Sequence, residues 1–307
     1  LKEWARRVDV EAIGRARPRV WFDAMHGSGA GVLDVALLEA GARVEVLRAD
    51  PDPRFGGSPP DPRPEQLHAL RRAVRSGRGL RLGLATDGDA DRFAVVDADG
   101  RVLSESEAVA LLVDHLARTG RIRAGVALSL ATGGLAERVA RAHGLRVERY
   151  PLGFSHLAAA LESGGADVAA DESGGFAWGR VGPGKDGLLA GGLLTEIVAE
   201  TRAPLSKRIA DLERRHGRSC CARTAVPATP SALARFDRLC TTPPARVAGE
   251  GARVEPMADG LRLLLDDGFL VLRASSTEPV LRVYAEAAGP ARVRRRLAAG
   301  RSLLGAG

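Results

Sequence analysis

The 307 residues, 45% hydrophobic and 27% charged, have the balance of a soluble globular protein and are too many for one ordinary core, so two or three domains are expected. Forty-five Lys and Arg against 38 Asp and Glu give a net charge of +7, with lysine only at Lys2, Lys185 and Lys207. The arginines form no aromatic-interleaved stripe, zinc finger or recognition helix, and no apolar run reaches the length of a membrane span, so neither nucleic acid nor membrane is expected as a partner. Cys220, Cys221 and Cys240 make no C-x-x-C pair, which argues against structural zinc and for a reducing compartment, so a cytoplasmic location is expected.

Periodicity predicts a helix over 1–17 with Trp4, Val8 and Ile13 on one side, then a buried strand over 20–22. A turn with glycines at Gly27, Gly29 and Gly31 leads into a helix over 32–38 that stops at Gly41, and 44–47 is the next strand. This is a β-α-β unit with a parallel pair and a right-handed crossover. The glycine spacing is G-x-G-x-G rather than G-x-G-x-x-G, and no Gly-Lys-Ser/Thr follows. A dinucleotide site, and with it a nucleotide-dependent oxidoreductase, therefore fits less well than a tight strand-to-helix turn. The Pro-, Gly- and Asp-rich stretch 50–64 is a long loop, and a helix is expected over 65–76.

An apolar strand over 80–85 then runs into Thr86-Asp87-Gly88-Asp89-Ala90-Asp91-Arg92, and 93–96 leads out. Three alternating carboxylates, Asp87, Asp89 and Asp91, crowd into one volume in an extended or looped backbone. Their mutual repulsion calls for a cation, and hard oxygen donors suit Mg²⁺ or Ca²⁺. A solvated acidic turn is the bland alternative. An EF-hand is excluded, because its glycine position holds Arg92 and its closing glutamate position holds Ala98. A hairpin turn over 97–100 and a helix over about 105–118 follow, with Val109, Leu112, Val113 and Leu116 on the apolar face.

A second unit echoes the first: a strand over 126–130, a turn over 131–134, a helix over 135–143 stopped by Gly144, and a strand over 145–148. The strand 166–170 runs into Asp171 as 80–85 runs into Asp87, and duplication is the simplest explanation. The loop Asp171-Glu172-Ser173-Gly174-Gly175 offers an acceptor carboxylate beside a hydroxyl, suited to sugar hydroxyls, with a helix cap or plain turn as its bland reading. Helices are expected over 188–200 and 204–217. The remainder reads as a smaller α+β unit with strands over 223–226, 261–265, 269–272 and 281–284 and a last helix starting near Ala291. Between its final strands, Arg273-Ala274-Ser275-Ser276-Thr277-Glu278-Pro279 combines an arginine, three hydroxyls and loop N–H groups, and Arg282 lies just beyond; such a set suits a phosphate.

The acidic loop resembles the metal loop of the α-D-phosphohexomutases, the phosphoglucomutase/phosphomannomutase family. Glu172-Ser173 is similar to that family's Gly-Glu-x-Ser-Gly sugar loop, and 273–279 to its Arg-x-Ser-Gly-Thr-Glu-Pro phosphate loop, with Ser276 where Gly is usual. Lys185-Asp186-Gly187 also fits the family. Leu152-Gly153-Phe154-Ser155-His156 falls at its specificity segment, where many members have Lys in place of Ser155. The resemblance implies two duplicated three-layer α/β domains with mixed sheets, at 15–118 for metal and 119–216 for sugar, followed by an α+β phosphate domain at 217–307. It implies a mutase interconverting hexose 1-phosphate and hexose 6-phosphate through a phosphoserine and a hexose 1,6-bisphosphate. Mg²⁺ would sit on Asp87, Asp89 and Asp91 with Arg92 in support. Glu172 and Ser173 would hold the sugar, and Arg273, Ser275, Ser276, Thr277 and Arg282 the phosphate. The family's Ser-His-Asn-Pro-like loop, which carries the nucleophile, has no counterpart here, so residues 1–14 are expected to be the remnant of a missing first domain and this chain alone to be inactive. A non-catalytic sugar-phosphate binding protein is the competing expectation.

Overall fold

The computed structural model describes residues 2–275 and 278–306, with Lys2 as backbone only. Two α/β units and an α+β unit follow one another, and the two sheets of the first pair repeat one topology. The first unit contains α1 (Lys2–Ala5), α2 (Val10–Ala16), β1 (Arg19–Asp23), α3 (Leu33–Glu39), β2 (Arg43–Leu47), α4 (His68–Ser76), β3 (Arg81–Thr86), β4 (Phe93–Val96) and α5 (Glu105–Arg118). Its strands are ordered β2-β1-β3-β4, parallel except for the antiparallel edge β4. The expected single helix over 1–17 is two helices, because the Asp9 side chain accepts the Ala12 N–H at 2.8 Å and caps a fresh start. The helix expected over 65–76 is α-helical only from His68.

The second unit contains β5 (Gly125–Ser129), α6 (Gly134–Ala142), β6 (Arg146–Tyr150), α7 (Phe154–Glu162), β7 (Val168–Ala170), β8 (Phe176–Trp178) and α8 (Gly187–Thr201). Its order, β6-β5-β7-β8, again has three parallel strands and an antiparallel edge. Helix α7 and the short strand β8 were not expected from the sequence.

One continuous core joins the two units. It takes Phe22 and Leu84 from the first sheet, Leu128 and Phe176 from the second, and the buried faces of α5 and α8. The outer faces are covered separately, the first by α4 through Leu70 and Val74 and the second by α7 through Leu157 and Leu161. Helix α8 lies against α2 and the first sheet, although it follows the second in sequence. There Gly192 leaves room for the Trp4 ring, since a Cβ would collide with its Cζ2 atom. Glu196 of α8 is buried beside His115 Nε2 at 2.7 Å and Arg121 Nη2 at 2.5 Å. Burial pushes its carboxyl up, but these partners outweigh that and hold it below the ordinary value.

Helix α9 (Leu205–His216) leads to the last unit: β9 (Cys220–Pro227), α10 (Pro230–Thr241), β10 (Arg246–Val247), β11 (Glu250–Gly251), β12 (Arg253–Glu255), β13 (Gly260–Leu265), β14 (Gly268–Ala274), β15 (Val280–Ala287) and α11 (Pro290–Leu303). The antiparallel sheet runs β12-β13-β14-β15-β9. Strand alternation sends Leu263, Leu270, Leu272 and Val283 towards α10 and α11. Phe269, Val271 and Tyr284 go the other way and meet Leu130, Ala131 and Leu152 of the second unit.

Candidate metal, sugar and phosphate site

The acidic loop sits at the C-terminal end of β3, where the parallel strands of an open α/β sheet present their binding loops. Asp87 is buried, Asp91 half-buried and Asp89 exposed, and one carboxylate oxygen from each lies within 4.8 Å of the others. Burial pushes the Asp87 carboxyl up to about 6 despite the bonds from Arg92. Arg92 donates through Nε to Asp87 at 2.6 Å and through Nη1 to Asp61 at 3.1 Å. Lys185 Nζ lies 2.6 Å from Asp91 Oδ2. Three all-oxygen donors held this close, with cations already drawn to them, fit a hard divalent ion. Ala90 adopts the left-handed φ of 60° that turns the loop, which closes with the Ala90 N–H donating to the Asp87 carbonyl.

The glycine turn after β1 supports this loop. The Ser28 N–H donates to the Gly88 carbonyl at 2.9 Å, and a Cβ at Gly27 would come within 2.6 Å of that same oxygen. Close contact between the turn and the acidic loop thus accounts for the glycine at Gly27.

The equivalent loop of the second unit meets the acidic loop directly. Arg92 and Gly175 pair as an isolated antiparallel bridge, the Phe93 N–H donates to the Gly174 carbonyl at 3.4 Å, and the Gly187 N–H donates to the Ala90 carbonyl at 3.0 Å. Asp171 turns inward: its Oδ1 accepts from the Ser173 N–H, the Ser173 hydroxyl and the Gly175 N–H at 2.7–2.9 Å. Glu172 projects into a cavity and accepts from the Ser129 hydroxyl at 2.6 Å, and burial pushes its carboxyl up. With Ser173 as the Ser of Gly-Glu-x-Ser-Gly, Asp171 rather than Glu172 takes the pattern's Glu position. The two carboxylates divide the work, Asp171 ordering the loop and Glu172 facing the hollow.

That cavity, of about 430 Å³, lies among all three units and is lined in part by Asp61, Ser104, Glu172, Ser173, Arg223 and Tyr284. Arg273 and Arg282 are register partners on β14 and β15, and Arg223 stands opposite Tyr284 on β9 and β15. All four side chains therefore share the sheet face turned towards the second unit. Burial pushes the Tyr284 hydroxyl up to about 12, reinforced by the charge of Glu172 and opposed by Arg282, Arg223 and Arg273. Arg273 is paired with Asp259 at 2.6 Å and Arg282 with Glu278 at 2.9 Å. The Ser275 N–H donates to the Val280 carbonyl at 3.0 Å. Ser276 and Thr277 lie outside the described residues. The Asp triplet does not line the cavity; it is reached from it through Asp61 and Arg92. Ser155 and His156 are exposed on the first turn of α7.

Asp61, Ser129, Arg223 and Tyr284 went unread in the sequence. Asp61 is hidden in a Pro-rich loop, and the others depend on strand register.

The arrangement defines an α/β protein with an acidic loop, a carboxylate–hydroxyl loop and an arginine-bearing sheet face. The cavity is walled by Glu172 and Ser173 of the second and by Arg223 and Tyr284 of the third, while Arg273 and Arg282, like the Asp triplet, lie outside its lining. Family models for phosphoglucomutase/phosphomannomutase match consecutively: α/β/α domain II over residues 1–100, α/β/α domain III over 104–216 and the C-terminal domain over 232–300. The chain belongs to this family. It is 31% identical over 306 residues to a phosphoglucomutase/phosphomannomutase of Thermococcus kodakarensis, covering 97% of this chain and 63% of that one. It is 31% identical over 279 residues to a probable phosphoglucosamine mutase of Methanopyrus kandleri, covering 90% and 59%. A Thermus thermophilus crystal structure described as a phosphomannomutase superposes with a TM-score of 0.85 at 27% identity, over 99% of this chain and 64% of that one. The chain thus spans about three fifths of the length of these curated relatives.

Proposed function

We propose that these residues form the metal-, sugar- and phosphate-holding part of a phosphohexomutase. The enzyme interconverts hexose 1-phosphate and hexose 6-phosphate through a hexose 1,6-bisphosphate, with the phosphorylated serine contributed from outside residues 1–307. The observation that carries this reading is the direct joining of two loops, Arg92 to Gly175 and Phe93 to Gly174, beside a cavity whose far wall bears Tyr284 and Arg223. Asp87, Asp89 and Asp91 would hold Mg²⁺, which when bound supplies neutralising charge to a phosphoryl group in transfer. Arg92, fixed by Asp87 and Asp61, presents its guanidinium at the loop edge for the reacting phosphate. Glu172 and Ser173 accept and donate to sugar hydroxyls. Arg273 and Arg282 exchange their exposed partners, Asp259 and Glu278, for the phosphate that is not reacting, with Ser275, Ser276 and Thr277 completing the loop.

The test is a coupled mutase assay on the 307-residue chain alone and with a separately supplied family domain bearing the phosphoserine. Negligible turnover alone and measurable turnover on complementation support the proposal. Normal turnover by the chain alone overturns the external serine. Hexose 6-phosphate binding without turnover in either arm favours a non-catalytic sugar-phosphate binder.

A further inference from the structure

The Lys185 side chain crosses from one unit to the other. It starts just before α8, passes over the sugar loop so closely that a Cβ at Gly175 would collide with its Cδ, and lies 5.6 Å from the Phe154 ring centroid. It ends 2.6 Å from Asp91 Oδ2, an oxygen acceptor of the cation loop. The remaining cation at that loop, Arg92, is held by Asp87 and Asp61 and lies 3.7 Å from Asp91 Oδ1. Arg92 is therefore anchored from two sides, whereas Asp91 is the one carboxylate paired with Lys185 among the described residues. An ammonium on a four-carbon stem is a movable point charge. A divalent ion on the three carboxylates and an ammonium on one of them compete for the same negative charge.

We propose that Lys185 is an exchangeable counterion of the cation loop: it neutralises Asp91 while the loop holds no metal, and metal binding releases it. The released ammonium remains over Gly175, between the cation loop and the sugar loop. Filling the cation loop thereby frees a positive charge beside Gly175 of the sugar loop, coupling metal occupancy to the affinity for an anionic sugar. This rests on the metal assignment of the proposed function.

Titration calorimetry with MgCl₂ tests it on wild type, Lys185→Met, Lys185→Arg, Arg63→Met and Asp89→Asn. Arg63, paired with Asp61, controls for the general loss of one positive charge near the loop. Lys185→Met is expected to bind Mg²⁺ about fivefold more tightly than wild type, the scale of a partly exposed ion pair. Arg63→Met should change affinity by less than about twofold, as expected for a charge outside the direct competition. Lys185→Arg should stay near wild type. A crystal structure of the Mg²⁺-loaded chain should show Nζ beyond ion-pair distance from Asp91. Unchanged or weaker Mg²⁺ binding by Lys185→Met, with wild type binding normally and Asp89→Asn failing to bind, overturns the counterion role alone. An equal gain in Arg63→Met also overturns it. No Mg²⁺ binding by wild type overturns the metal assignment itself.

Discussion

Glu286 of β15 accepts a hydrogen bond from the backbone N–H of Gly134, the first residue of α6, at 2.8 Å. Helix α6 has no side-chain cap of its own, so a carboxylate from the last unit satisfies an otherwise free N–H and faces the positive end of the helix. Ser219 donates to the same oxygen at 2.6 Å, and Arg138 of α6 reaches the carbonyls of His216, Gly217 and Arg218 in the connecting segment. These contacts tie the last unit, whose sheet face carries Arg223, Arg273, Arg282 and Tyr284, to the second unit.

Glu286→Ala leaves the Gly134 N–H and the Ser219 hydroxyl without their acceptor in a buried site, at a cost of about 1–3 kcal/mol. Urea denaturation should show the loss. Cys221, on the same seam, has its thiol pushed up to about 12 by burial. Its labelling by a thiol reagent at about pH 8, below that raised value, should be slow in the wild type and faster in Glu286→Ala.

Gly174 holds a φ of 89°, and a Cβ there would lie 3.0 Å from the Phe93 carbonyl oxygen. Gly174→Ala therefore adds left-handed strain and pushes the 171–175 loop from the acidic loop, at a cost of about 1–2 kcal/mol. Thermal unfolding should show the destabilisation, and calorimetry should show weaker hexose 6-phosphate binding. Wild-type stability in Gly174→Ala would mean that this contact is loose.

Burial raises the Glu172 carboxyl above its ordinary 4.5. A raised carboxyl binds its proton more tightly in the folded chain, so stability falls as pH climbs from the unfolded value through the folded one. Glu172→Gln removes the buried charge and retains an acceptor for Ser129. Its melting temperature should exceed that of wild type at about pH 8, and the gap should shrink towards about pH 4. The same variant should bind hexose phosphate less well, because the carboxylate acceptor is lost.

The sequence disclosed those parts whose signal is local. The alternation at Asp87, Asp89 and Asp91 pointed to three carboxylates gathered in one loop, and the echo between 39–45 and 141–148 to a duplicated unit; the oxygens lie within 4.8 Å of one another and the two sheets share one strand order. Helix α7 was missed because Gly153-Phe154-Ser155-His156 reads as a loop; Gly153 enters the helix at a φ of 117°. Helix α10 carried a readable start, Thr229 as cap and Pro230 in the first turn, in the stretch between 226 and 261 to which no element was assigned from sequence. Strand β8 has three residues, too few for periodicity to show. Arg223 and Tyr284 come together only through the pairing of β9 with β15, which no single stretch encodes. The inward turn of Asp171 beside the outward Glu172 depends on hydrogen bonds to Ser173 and Gly175, which residue types alone left open.

The most direct measurement is a crystal structure of the chain with Mg²⁺ and a hexose 6-phosphate. The ion is expected on Asp87, Asp89 and Asp91, the sugar hydroxyls on Glu172 and Ser173, and the phosphate on Arg273 and Arg282, all with one ligand bound. A hexose phosphate bound away from Glu172 and Tyr284, or an ion bound elsewhere than the Asp triplet, would contradict it.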